Sequence, residues 1–130
     1  MYAVAIVDDE KPLCEVYQRM LELRGIPVCY VAYDGQEAVD KFRDHGNPKP
    51  RIVLMDYRLP TMNGIEAMLE ILKIEPATRV IFLSADNDIE EEALRKGAVM
   101  FIQKPASIKE IVGAVERVAL ERSGNVEKSL

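Results

Sequence analysis

The sequence predicts one α/β domain built on an open parallel sheet with helices on both faces. Five short apolar runs alternate with five segments whose apolar residues recur at helical spacing, from one end of the chain to the other. Four of the runs are nearly continuous in apolar residues instead of alternating with polar ones, which marks strands covered on both sides. The length, 130 residues, fits one domain of ~100–150 residues and leaves no room for a second. Right-handed crossovers between parallel strands then give the doubly wound arrangement.

The first run, Val4–Val7, leads into a stripe of Leu13, Val16, Tyr17 and Met20, opened by Pro12 and closed by Gly25 and Pro27. The second, Val28–Ala32, precedes a helix carrying Ala38, Val39 and Phe42, with Asp34 and Glu37 spaced as in a capping box. A loop rich in proline and glycine, His45–Pro50, follows and should be exposed. The third run, Ile52–Met55, is followed by Ile65, Met68, Leu69 and Leu72 on one helical face. The fourth, Val80–Leu83, is followed by a short acidic helix over Ile89–Lys96 that Gly97 ends. The fifth, Met100–Ile102, precedes the stripe Ile108, Ile111, Val112, Val115, Val118 and Ala119, capped by Ser107 with Glu110. Residues 123–130 carry no stripe, so the expected domain is 1–122 with a short frayed tail at 123–130.

Composition excludes several classes. Hydrophobic residues make up 48% of the chain, enough for a core and too many for a disordered protein. The longest apolar run, Tyr2–Val7, is far short of the ~20 residues of a membrane span. It also lacks the basic flank of a signal peptide. Seventeen Lys and Arg against 22 Asp and Glu leave a net charge of −5, so no non-specific nucleic-acid surface is expected. Cys14 and Cys29 stand in apolar surroundings without CxxC spacing and read as buried thiols of a reducing cytoplasm.

In a doubly wound sheet the site lies at the carboxyl ends of the strands, where the strand order reverses. There the sequence places Asp8, Asp9 and Glu10 after the first run, Asp34 after the second, Asp56 after the third, Ser84 after the fourth and Lys104 after the fifth. Asp8, Asp9 and Asp56 become neighbours if the first and third strands flank the switch point. Three carboxylates that close raise one another's pKa values unless something offsets the charge. A hard divalent cation such as Mg2+ does so, and so does the Lys104 ammonium. An aspartate beside a cation and a lysine can also attack phosphorus and form an acyl phosphate. Asp56 stands alone after its strand and is the best nucleophile; Ser84 offers a hydroxyl to an attached phosphoryl group. Taken singly, each has an ordinary reading as a turn or cap residue. Asp34 reads as a cap, Glu10 as a solvated first-turn residue, His45 as an exposed loop residue, and Met62, Met68 and Met100 as packing.

The chain resembles the receiver domains of two-component response regulators. The resemblance lies in Val7-Asp8-Asp9-Glu10, in Met55-Asp56-Tyr57-Arg58-Leu59-Pro60-Thr61-Met62-Asn63-Gly64, in Leu83-Ser84-Ala85, and in Gly97-Ala98 leading to Phe101-Ile102-Gln103-Lys104-Pro105. It covers about residues 2 to 121. It implies a flavodoxin-like sheet of order 2-1-3-4-5, a phosphoacceptor at Asp56, and Mg2+ (Mn2+ as substitute) held by Asp9, by Asp8 mainly through water, by Asp56 and by the backbone carbonyl of Arg58. It implies that Ser84 and Lys104 grip the phosphoryl group, that Phe101 changes rotamer with the state of the site, and that a cis peptide precedes Pro105. It further implies a cytoplasmic monomer or weak dimer, not an enzyme in the ordinary sense. Such a protein takes its phosphoryl group from a histidine kinase or phosphotransfer protein and acts on a separate downstream protein, with no output domain attached.

Arg58 and Asp86 stand two residues after Asp56 and Ser84, at the expected rim of the pocket, where their charges can pair and govern the lifetime of the acyl phosphate. Two other chemistries fit less well. A haloacid-dehalogenase phosphatase needs an acid two positions after its nucleophile, and Arg58 is there. An FMN-binding flavodoxin needs a Ser/Thr/Gly-rich phosphate loop where Asp8, Asp9 and Glu10 stand. A docking module that takes no phosphate, and a phosphate sink, stay open as alternatives.

Overall fold

Continuous apolar strands need cover on both faces, and the chain supplies it. A computed structural model describes residues 2–46 and 48–128, with side chains through Glu121. The order is β1 (Val4–Val7), α1 (Lys11–Leu23), β2 (Val28–Ala32), α2 (Gly35–Asp44), β3 (Ile52–Met55), α3 (Gly64–Ile74), β4 (Arg79–Ser84), a 3₁₀ turn at Asn87–Ile89, α4 (Glu90–Arg95), β5 (Met100–Gln103) and α5 (Ile108–Lys128). The five strands form one parallel sheet in the order β2-β1-β3-β4-β5, as the resemblance implied.

Alternate residues of each central strand enter two different cores. Val4 and Ile6 of β1, Ile52 and Leu54 of β3, and Ile81 and Leu83 of β4 pack with Leu21 of α1 and Val115 of α5. Ala5, Val7, Val53, Met55, Val80 and Phe82 pack on the other face with Phe42 of α2, Met68 of α3 and Ala93 of α4. Both faces are dry, which is why the runs show no polar alternation. β2 and β5 are the edges. Cys14 lies on the buried face of α1, but Cys29 is only half-buried because its strand has one open side; both thiols are free.

Three local departures from the sequence reading have physical causes. The acidic helix begins as a 3₁₀ turn, and α4 proper spans six residues. α3 is capped by Asn63, whose side chain accepts from Glu66 N at 2.9 Å while Glu66 Oε1 accepts from Asn63 N at 2.9 Å, a complete capping box. The backbone of α5 continues through Lys128, past the residues that carry its apolar stripe. What stops near Ala119 is the apolar stripe, and helix-forming residues such as Glu121 and Arg122 carry the backbone on. The last two residues of the expected tail lie outside the described residues.

Candidate functional site

Parallel strands send their carboxyl ends to one edge of the sheet, and register then decides which residues meet. Val7 pairs with Met55, so Asp8 and Asp56 leave adjacent strands side by side, with Asp56 N–H donating to Val7 O at 3.0 Å. Lys104 N–H donates to Ser84 O at 2.9 Å, which brings the residue after β5 level with the end of β4. Lys104 Nζ then reaches across the sheet to Asp8 Oδ2 at 2.7 Å and Asp56 Oδ2 at 3.2 Å, with Glu10 Oε1 farther off at 3.9 Å. The peptide bond between Lys104 and Pro105 is cis.

The pocket floor is nearly dry. Asp8, Asp56 and Ser84 are 2%, 8% and 1% exposed, while Asp9 faces solvent. Burial raises the Asp56 pKa; the Lys104 charge and hydrogen bond pull it down, the Asp8 charge pushes it up, and burial prevails. Burial also works against the Lys104 ammonium, but its hydrogen bond to Asp8 and the charges of Asp56 and Asp8 outweigh it and raise the pKa. The lysine stays protonated at any ordinary pH. Cys14, beneath the site, donates from its thiol to Asp8 O at 3.3 Å and is pushed up to about 12, by burial first and by the Asp8 charge second.

One carboxylate oxygen each from Asp8, Asp9 and Asp56 lie within 4.8 Å of one another. An all-oxygen set with one solvent-facing member fits a hard cation that keeps some of its waters, so these residues fit Mg2+. Asp8 Oδ1 accepts from Glu10 N at 3.0 Å and Asp56 Oδ1 from Tyr57 N at 2.8 Å. Ser84 Oγ accepts from Asp86 N at 3.2 Å. At the rim, Arg58 Nε and Nη2 donate to the two carboxylate oxygens of Asp86 at 2.6 and 3.0 Å, a bidentate pair across the mouth. That pairing lowers the Asp86 pKa and raises that of Arg58. Phe101 is half-buried, in register with Phe82, and packs on the α2–α4 side of the sheet. Asp34 caps α2, Glu10 begins α1 with its side chain exposed, and His45 is exposed, away from the pocket.

Gly64 is a site residue that motif reading quotes without explaining. Its N–H donates to Tyr57 O at 2.8 Å, and a Cβ there would lie 2.1 Å from Asp56 O. No other residue fits so close to the backbone of Asp56. Thr61, with a positive φ of 71°, is a second. Its signal in the sequence is faint, since only its place between Pro60 and Asn63 suggests a tight turn.

The family model for the response regulator receiver domain matches residues 4–116. The chain belongs to the response regulator receiver family. Among its relatives is the chemotaxis protein CheY of Thermotoga maritima, 37% identical over 118 residues, which cover 89% of this chain and 96% of that protein. The receiver also superposes on CheY in the CheX–CheY–BeF3–Mg2+ complex of Borrelia burgdorferi, with TM-score 0.83 and 32% identity over 90% of this chain and 88% of that one. A CheY-like receiver of Methanospirillum hungatei shares the fold at TM-score 0.87, with 23% identity over 96% and 98% of the two chains. The receiver is thus a signal-transduction domain of the two-component type. Among the described residues, no helix is long and apolar enough to cross a membrane.

Proposed function

We propose that the receiver accepts a phosphoryl group on Asp56 from a phosphohistidine and passes the signal to a separate protein through a change in its surface. The observation that carries this reading is the Lys104 ammonium held between Asp8 and Asp56, beside a third carboxylate at the same strand ends. In this reading an oxygen of Asp56 attacks phosphorus, the phosphorus–nitrogen bond to the donor histidine breaks, and an acyl phosphate results. Asp56 Oδ1 stays oriented by the Tyr57 amide while Oδ2 faces the lysine. Lys104 pairs with phosphoryl oxygens as charge builds on them. Ser84 accepts a hydrogen bond from the Asp86 amide, so its own proton is available to a phosphoryl oxygen.

Mg2+ held by Asp9, Asp56, the Arg58 carbonyl and, through water, Asp8 would neutralise phosphoryl charge. The donor is a histidine kinase or phosphotransfer protein, and the target a separate protein in the same compartment. The test is intact-mass spectrometry after incubation with acetyl phosphate and Mg2+. We expect one base-labile phosphate on the parent and none on Asp56→Asn; a phosphate retained by the variant places the nucleophile elsewhere.

A further inference from the structure

We propose that Thr61 is a positioning residue for the phosphoacceptor loop: its hydroxyl ties the turn between β3 and α3 to the N-terminus of α2 and so holds the Arg58 carbonyl where a divalent cation needs it. The functional meaning of this brace rests on the phosphoacceptor reading of Asp56. Its support comes from other atoms.

The backbone at Thr61 is strained. Its φ is 71°, and Met62 N–H donates to Pro60 O at 2.9 Å across it. A bond from residue i+2 back to residue i over a left-handed centre closes the rarer, strained kind of γ-turn. A β-branched residue is poorly suited to that conformation, which glycine and asparagine adopt at less cost. A threonine here needs a use for its side chain, and the hydroxyl has one. It accepts from Gln36 N–H at 2.9 Å and lies 2.6 Å from Pro60 O and 3.1 Å from Asp34 Oδ1. Pro60 O already accepts from Gly35 N at 3.1 Å and from Met62 N at 2.9 Å. Two lone pairs are then taken, and the hydroxyl proton goes to the charged Asp34 carboxylate.

Gln36 is the second residue of α2, and its N–H is one of the amides a helix start leaves without an internal partner. Thr61 therefore finishes the cap that Asp34 begins by accepting from Glu37 N at 2.7 Å. Loop and helix also touch without slack, since a Cβ on Gly35 would lie 2.3 Å from both Met62 O and Met62 Cγ. The other end of the loop is fixed by Gly64 N–H on Tyr57 O. Arg58 lies between the two anchors. Release of the α2 anchor lets the strained turn relax and carries Arg58 with it.

Thr61→Val removes the hydroxyl and keeps the strain, Thr61→Ser keeps the hydroxyl, and Thr61→Gly removes both hydroxyl and strain. Two quantities are read for each: the Mg2+ concentration at half-maximal phosphorylation by acetyl phosphate, and amide exchange at Gln36 and in residues 58–62 without Mg2+. In Thr61→Val we expect the Mg2+ midpoint to rise about tenfold, at the low end for loss of support to a metal ligand, with the rate recovering at saturating Mg2+. Exchange at those amides should quicken. Thr61→Ser should match the parent in both. Thr61→Gly, in which no strain is left to drive the turn out of place, should raise the midpoint less than Thr61→Val while exchange at Gln36 still quickens, which separates the strain from the brace. Parental midpoints and exchange in Thr61→Val and Thr61→Gly overturn the brace, and so does an equal loss in Thr61→Ser. If the parent takes no phosphate on Asp56, the phosphoacceptor reading falls alone. The Mg2+ midpoint read from the rise in Tm, with amide exchange, then decides the brace.

Discussion

At Asp56 burial and charge pull in opposite directions. Its folded pKa is raised, so the carboxyl favours the fold when protonated, below the ordinary unfolded value of ~3.9, and that contribution is lost as pH rises through the folded pKa. At neutral pH the ionised group is a cost to the fold. Asp56→Asn should therefore melt a few degrees higher at pH 7, with the gap closing as the pH falls toward 4; a variant less stable than the parent at pH 7 contradicts this. Lys104 has the opposite neutral-pH effect. Its raised pKa means stability fully present below ~10.4 and lost above it. Lys104→Ala strands Asp8 and Asp56 together and should cost about 3 kcal/mol at pH 7 by chemical denaturation. A companion Asp56→Asn change should recover part of that loss. The rim pair acts on rate more than on stability, because Arg58 is 79% exposed and exposed pairs contribute ~0–1 kcal/mol. On the phosphoacceptor reading we propose that the pair screens the water that hydrolyses the acyl phosphate on Asp56. Arg58→Ala should shorten the phosphoryl half-life severalfold with little change in Tm, a barrier change of under ~1.4 kcal/mol. A half-life unchanged in both Arg58→Ala and Asp86→Ala leaves the pair without a role in lifetime.

The elements divide into those whose cause is local and those whose cause is an approach in space. β1, β3 and β4 were legible because burial on both faces writes itself into the sequence as unbroken apolar runs. Asp8, Asp56, Ser84 and Lys104 were legible because the topology fixes which residues follow strands at one edge. The complete capping box at Asn63 is not legible in the sequence, since the Asn-Gly pair there also reads as a plain turn. The bidentate geometry of Arg58 and Asp86 depends on how two loops curl, and spacing along the chain says only that both stand near the rim. The Gly64 approach is of the same kind, because nothing nearby in sequence announces an oxygen 2.1 Å from an absent Cβ. Gly64→Ala must push α3 away from the Asp56 backbone and should cost about 1–3 kcal/mol, the range for overpacking. Its Tm and its phosphorylation rate should fall together; a parental rate in a destabilised protein separates the helix from the site.

Across the whole molecule the two cores differ in what holds their helices. α1 and α5 lie on one face with long buried stripes, whereas α4 is six residues long and buries only Ala93, with Ile89 from the turn before it. Leu94 is 40% exposed, and three glutamates fill the first turn of the helix. An element with so little buried apolar surface opens at low free energy and is the natural place for a signal to leave. The link to the pocket runs along β4 and β5. Ser84 pairs with Gln103 and Phe82 with Phe101, so a shift of the Ser84 hydroxyl toward a phosphoryl oxygen opens space on the side where Phe101 packs. Phe101 is half-buried on that side, and we propose that it turns inward to fill the vacated space, which would redraw the face formed by α4, β5 and α5. Amide exchange in α4 and β5 should thus change on phosphorylation by a larger factor than in α1, and Phe101→Ala should flatten the difference while Asp56 still takes phosphate. Equal changes in α4 and α1 would show that phosphorylation stiffens the domain as a whole and that no single face carries the output.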